Sequence, residues 1–335
     1  MSLSLADALA ARRAIAGVVV RTPLVSSPHV SRIAGHEVLY KLETTQPGGA
    51  FKLRGAVNAV AALPAAVAGV TCCSTGNHGR ALAYAARAKG LRAVVCMSSL
   101  VPKSKVDGVR ALGAEVRIVG RSQDDAAVES SRLANEEGLA EIPPFDHPLV
   151  IAGQATIGLE MLEDRPDLAA ILVPLSGGGL AAGVALAAKA ISPSIRVIGV
   201  TMARGAAMRE SIRAGHPVEV EEVPSLADSL GGGIGLDNRL TLSLCRDLLD
   251  DCMLVTEDEI RDAMQTLYFE DRMVAEGAAV VGIAAIKSGR LPARGGPVAT
   301  ILTGRNVDMA AFTDIVTGRG VKLGDTELKE RAYGA

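Results

Sequence analysis

Lys52 draws attention on chemistry alone. It lies in Gln46-Pro47-Gly48-Gly49-Ala50-Phe51-Lys52-Leu53-Arg54-Gly55, an apolar, glycine-led stretch of a chain with nine lysines against 26 arginines. The glycines permit a tight loop, after which a helix begins with Lys52 set between Phe51 and Leu53. Burial there would lower the amine's pKa and make it a nucleophile for an aldehyde; a lysine that snorkels from a helix start has the same sequence. Ser74-Thr75-Gly76-Asn77-His78-Gly79 follows an apolar run and opens the Ala-rich helix Arg80 to Lys89. Its backbone N–H groups, hydroxyls and Asn amide suit a carboxylate or a phenolic oxygen, and a plain helix cap uses the same residue types. In Ser176-Gly177-Gly178-Gly179-Leu180 three glycines would let N–H groups close on a phosphate, or simply make a turn. That loop has neither Walker nor dinucleotide-fingerprint spacing, which removes the main support for ATP or NAD. Thr303 in Thr303-Gly304-Arg305-Asn306 would present a hydroxyl at a strand end, and Gly231-Gly232-Gly233-Ile234-Gly235 reads as a substrate-contacting or a surface loop.

Placing these groups together takes an α/β fold. Short Val/Ile/Leu runs, apolar throughout, alternate with Ala-rich stretches of helical period, as parallel strands covered on both faces require. They predict strands at Val38–Leu42, Val70–Cys73, Ala93–Met97, Val116–Val119, Ile171–Leu175, Val197–Thr201, Met253–Thr256 and Val298–Leu302. With 335 residues the prior is two domains. The β-α-β-α-β-α reading of 69–148 predicts an inserted small domain; 1–68 and 149–320 would form the large one, with 321–335 a C-terminal tail and the ligand in the cleft between domains. A formal charge of -2, no Trp, four Tyr and four Phe argue against nucleic-acid and membrane partners. The two long uncharged runs are broken by Asn58, Pro64 and Asn77 and by Pro174 with the glycine loop, so neither reads as a membrane span. Five cysteines without a C-x-x-C pair read as cytosolic core thiols with no zinc site, and the N-terminus shows no signal-peptide pattern, so a cytoplasmic location is expected.

Taken in order over nearly the whole chain, Lys41-Leu42-Glu43, Phe51 to Ala56, Ser74 to Gly79, Ile151-Ala152-Gly153-Gln154, the Ser176 to Leu180 loop and Gly304 to Asp308 form a specific set. It resembles the tryptophan-synthase-β-like (fold type II) pyridoxal-phosphate enzymes, in the threonine dehydratase and serine racemase branch. The resemblance implies pyridoxal 5'-phosphate as cofactor, with Lys52 linked to its aldehyde, Phe51 against the ring, Asn77 at the phenolic oxygen, Ser176, Gly177, Gly178, Gly179 and Leu180 around the phosphate, and Thr303 opposite the ring nitrogen. It further implies that Lys52 removes the Cα proton of a β-hydroxy amino acid whose carboxylate lies on Ser74, Thr75 and His78. The products would be a 2-oxo acid and ammonia. A hydroxyl opposite the ring nitrogen, in place of a carboxylate, makes a weaker electron sink and favours prompt elimination.

Departures from the family pattern narrow this reading. Ser176 replaces the usual first glycine of the phosphate loop, and Arg305 replaces a glycine and would add a cation near the cofactor. Where racemases and related dehydratases carry acidic metal ligands, the chain reads Thr201-Met202-Ala203-Arg204-Gly205-Ala206-Ala207, so no divalent metal is expected. Thr75 corresponds to the second acid–base serine of the racemases, which keeps a serine or threonine racemase open beside a general L-threonine/L-serine dehydratase; a catalytically silent cofactor binder is the rival of a different class. The combined motifs look most like the hydroxyectoine-utilisation dehydratases, which implies a hydroxylated 2,4-diaminobutyrate derivative as substrate. Asp146, in Pro143-Pro144-Phe145-Asp146-His147, is then a candidate partner for the extra amine, or a solvent-exposed turn carboxylate. A homodimer is expected.

Overall fold

The apolar runs become strands because they are enclosed on both faces. The computed structural model describes residues 3–74, 76–101, 103–291 and 295–334. The strands are β1 (Leu24–Ser26), β2 (Val38–Lys41), β3 (Val70–Cys73), β4 (Ala93–Met97), β5 (Glu115–Ile118), β6 (Ala140–Glu141), β7 (Ala170–Pro174), β8 (Arg196–Met202), β9 (Asp251–Val255), β10 (Val298–Ile301), β11 (Val321–Leu323) and β12 (Thr326–Leu328). One six-stranded sheet has the order β1-β2-β10-β7-β8-β9, parallel except where β1 runs antiparallel to β2. Every residue of β2, β7 and β10 is buried. A four-stranded parallel sheet has the order β5-β4-β3-β6. Its edge strand β5 carries Arg117, paired with Glu115 and Glu129, and such charges keep an edge from recruiting another strand.

All eight strands expected from the apolar runs are present, each with ends within two residues. Those not anticipated are the short β1 and β6 and the antiparallel hairpin β11–β12. The segment read as a tail is therefore structured: Leu328 is buried, the Arg331 N–H donates to Gly318 O at 2.8 Å, and Gln265 Nε2 donates to Arg331 O at 3.0 Å.

Three helices stacked on one another support one side of the site. The helix Pro148–Asp164 is buried from Val150 to Leu162 and lies against the helices Lys52–Ala61 and Gly179–Ile191. Both contacts run backbone to backbone. A Cβ on Gly55 would stand 2.9 Å from Val150 O, and one on Gly183 would stand 2.5 Å from Ile151 O, closer than carbon and oxygen can approach. Beside this contact lies a buried set of charges. Arg54 Nε and Nη2 donate to Glu43 at 2.9 and 2.8 Å, Nη1 and Nη2 donate to Glu160 at 2.7 and 2.8 Å, and Nη1 also reaches Thr156 Oγ1 at 3.1 Å. Lys41 Nζ pairs with Glu160 at 2.7 Å and donates to Thr22 O at 2.6 Å. Burial opposes the Arg54 charge, but Glu43 and Glu160 outweigh it and hold the guanidinium above its ordinary range.

Candidate active site

The loop that presents Lys52 is zipped onto the exit of β10. Phe51 N–H donates to Thr303 O at 2.9 Å, Arg305 N–H donates to Gly49 O at 2.9 Å, and Asn306 Nδ2 donates to Gly48 O at 2.9 Å. The helix then starts at Lys52 itself, with Arg54 in its first turn anchored by the buried charges. Lys52 is half-buried in the wall of a cavity of about 500 Å³ and donates to Pro144 O at 2.7 Å. Desolvation lowers its amine to about 8, within reach of neutral pH as a base or nucleophile.

The same cavity collects most of the predicted residues. Phe51, Ser74, Asn77, His78, Ser176, Gly177, Gly178, Gly179, Leu180 and Thr303 all line it; Thr75 lies outside the described residues. The glycine loop connects β7 to the helix Gly179–Ile191, whose first N–H groups have no partner within the helix. Gly178 holds a left-handed φ of 86°, and a Cβ on Gly177 would stand 2.3 Å from the Phe145 ring. Side chains would therefore close the cradle, and an anion is what a ring of N–H groups at a helix start attracts.

The other wall is the start of the helix Asn77–Lys89, three residues earlier than the sequence suggests. Ser74 Oγ accepts from Gly76 N–H at 3.4 Å and Gly79 N–H at 3.2 Å, so it does cap the turn, and its own hydroxyl hydrogen remains to donate. His78 departs from expectation. Its Nε2 lies 2.7 Å from Ile142 O and must donate to that carbonyl. Desolvation, with Lys52 nearby, lowers the imidazole to about 3, so the ring is neutral and Nδ1 has no hydrogen to offer a carboxylate. Only the backbone N–H of His78 can serve as a donor there.

Two further expectations are corrected. Asp146 is not an amine partner: its carboxylate accepts from the N–H groups of Arg239, Leu240 and Thr241 at 2.7, 2.9 and 2.8 Å, capping the helix Thr241–Leu248. Arg305 adds no cation to the cavity, because its side chain is exposed and is not among the lining residues. The Gly231 to Gly233 stretch does reach the cavity, as does Cys73.

Glu276 was missed. It is 5% exposed, lines the cavity, and accepts from Asn77 Nδ2, Asn306 N–H and Ser229 Oγ. Burial raises its carboxyl above the ordinary range, although the Asn77 and Asn306 hydrogen bonds oppose the shift. A sequence signal existed: Glu276 is the single charge between Met273 and Ile286. Asp124, Glu222 and Asp228 bring further carboxylates to the cavity, and Lys105 stands 3.5 Å from Asp228 across its mouth.

This donor set fits pyridoxal phosphate. One desolvated amine answers an aldehyde, a glycine cradle at a helix start answers a phosphate, and the buried hydroxyl of Thr303 and amide of Asn77 answer the polar atoms of a ring. Comparison with known proteins agrees. Residues 15–304 match the family described as pyridoxal-phosphate dependent enzyme. A Sinorhizobium fredii protein named "Putative threonine dehydratase" is 56% identical over 95% of this chain and 96% of its own length. The L-threonine ammonia-lyase of Thermotoga maritima is 38% identical over 96% of this chain and 80% of its own. Among solved structures, maize serine racemase superposes with a TM-score of 0.89 at 34% identity, covering 94% of this chain and 97% of that one.

Proposed function

Because the chain belongs to the pyridoxal-phosphate dependent enzymes, as its match over residues 15–304 shows, we propose that it is an ammonia-lyase dehydrating a β-hydroxy amino acid such as L-threonine or L-serine. The observation that carries this reading is Lys52: a desolvated amine, lowered to about 8, in one cavity with a glycine cradle. Names of the relatives support it: the Sinorhizobium fredii protein carries the name "Putative threonine dehydratase" and the Thermotoga maritima protein "L-threonine ammonia-lyase".

Bound here, pyridoxal phosphate supplies the electron withdrawal that acidifies the substrate's Cα–H. The N–H groups of Gly177 to Leu180 and the Ser176 hydroxyl would hold its phosphate, Thr303 would offer a hydroxyl to the ring nitrogen, Asn77 would offer an N–H to the phenolic oxygen, and Phe51 would pack beside the ring. Ser74, Thr75 and the His78 N–H take the substrate carboxylate at the helix start. Lys52 removes the Cα proton as general base. The β-hydroxyl leaves as water, taking up one proton for the one that Lys52 removes, and a second water then releases ammonia, so the net products are a 2-oxo acid and ammonia.

A finer reading of the substrate has one observation in its favour. Four carboxylates line the cavity, Asp124, Glu222, Asp228 and Glu276, against the amines of Lys52 and Lys105. Such a wall attracts a cationic side chain, as on the hydroxylated 2,4-diaminobutyrate derivative that hydroxyectoine breakdown would supply. The deciding experiment measures 2-oxo acid and ammonia from the cofactor-loaded protein, with and without chelator, on L-threonine, L-serine, 3-hydroxyaspartate and 3-hydroxy-2,4-diaminobutyrate. Preference for threonine or serine establishes the general dehydratase, and preference for the diaminobutyrate compound establishes the finer reading. D-serine formation would make it a racemase, and no turnover by a protein that holds cofactor would make it a silent binder. Activity lost to chelator would overturn the metal-free reading. Light scattering tests the homodimer, which a monomeric mass removes.

A further inference from the structure

Among the described residues, every hydrogen-bonding partner of the buried Glu276 carboxylate is neutral. Asn77 Nδ2 lies 3.0 Å from each of its oxygens, Asn306 N–H donates to Oε1 at 2.8 Å, and Ser229 Oγ lies 3.4 Å from Oε2. Its backbone is fixed as well, since Glu276 N–H donates to Gly304 O at 3.0 Å. On its other side Asn77 Oδ1 accepts from Asn306 Nδ2 at 2.7 Å, and that same amide reaches Gly48 O at 2.9 Å on the loop leading to Lys52. A flipped Asn77 would set its oxygen against a carboxylate and its amide nitrogen against another NH₂ group, two repulsions in place of two bonds. Glu276 and Asn306 therefore allow the amide one orientation.

The two carboxylate oxygens sit side by side, whereas the two hydrogens of an amide diverge. One Nδ2–H consequently serves both oxygens and the other is left over. We propose that Glu276 is a positioning residue that, with Asn306, clamps the Asn77 amide so that this second N–H stays directed to the phenolic oxygen of the cofactor. The proposal rests on the cofactor reading given above.

The test compares wild type with N77A, E276Q, N306A and the E276Q/N77A double variant. Its readouts are the dissociation constant for pyridoxal phosphate and the visible absorption maximum of the lysine-linked cofactor. N77A should weaken cofactor binding by about tenfold and shift the absorption maximum, the loss of one hydrogen bond to a charged oxygen. E276Q and N306A should shift it in the same direction with a smaller loss of affinity, ~3-fold. In the N77A background E276Q should change neither readout, because the group it positions is gone. Equal effects of E276Q in both backgrounds would overturn the proposal, as would an unshifted maximum in E276Q and N306A. K52A separates the premise: if it keeps the lysine-linked absorption, the cofactor reading falls and the positioning role with it; if it loses that absorption while E276Q acts additively, the positioning role alone falls.

Discussion

Two of the places where the molecule buries charge treat it in opposite ways. Beneath the helix Lys52–Ala61, the cations of Lys41 and Arg54 face the carboxylates of Glu43 and Glu160, and Arg54 spends donors from all three of its nitrogens on them and Thr156. Two residues away, the Lys52 amine donates to a carbonyl, and across the cavity Glu276 has, among the described residues, only neutral donors. A matched set holds its neighbours in register because its desolvation is offset within the protein. Unmatched charges are kept at a cost in folding, and binding completes them. Stability and chemistry are thus assigned to residues two apart in the first turn of one helix.

Removing Arg54 should separate the two regions most sharply. R54M leaves Glu43 and Glu160 with one cation between them and should destabilise the apoprotein by about 3–5 kcal/mol in urea unfolding; a loss below about 1 kcal/mol would mean that the charges are not coupled. K52M should do the reverse, lowering turnover by about 10³-fold without lowering the unfolding midpoint of the apoprotein at pH 7. A clear loss of stability there would erase the distinction.

The pH dependence should carry the same contrast. Lys52 sits at about 8 in the folded chain against an ordinary 10.5, so between these values the unfolded chain binds the extra proton and the apoprotein gains stability as pH rises. K52M should lack that gain. For Glu160 burial raises the carboxyl, but Arg54 and Lys41 outweigh it and hold it below an ordinary 4.5; its contribution is present above 4.5 and is lost as pH falls through the lowered value. Acid melting curves of E160Q should therefore be flatter than those of wild type. The smallest effect belongs to D146A, which removes the cap of the helix Thr241–Leu248 and should cost about 1 kcal/mol. It should leave the ratio of activities on cationic and neutral substrates unchanged, and a change in that ratio would return Asp146 to the substrate.

Central strands such as β4 and β7 are legible in the sequence because burial on both faces demands an uninterrupted apolar run. β1 and β6, three and two residues long, leave no period to detect. The β11–β12 hairpin did carry a signal, Gly324-Asp325 between alternating residues, but with strands of three residues each the alternation is too short to stand out. Site residues are legible where the backbone must be special, at the glycine loop and at Gly48-Gly49, and where a lysine is isolated among apolar neighbours. Which donors Glu276 accepts from, and that the His78 ring spends its one N–H on Ile142 O, are not legible, because only packing decides which hydrogen-bonding capacity is used.

The contacts of Gly55 and Gly183 with the helix Pro148–Asp164 also bear on how new specificities arise in such a scaffold. The spacing between the Lys52 amine and the glycine cradle is set by the thickness of stacked main chains, a dimension that side-chain drift does not alter. The 225–240 stretch, which faces the cavity through Ser229 and Gly231 to Gly233, lies outside that stack. Substrate preference can therefore be rewritten in one loop while the cofactor's seat is inherited unchanged.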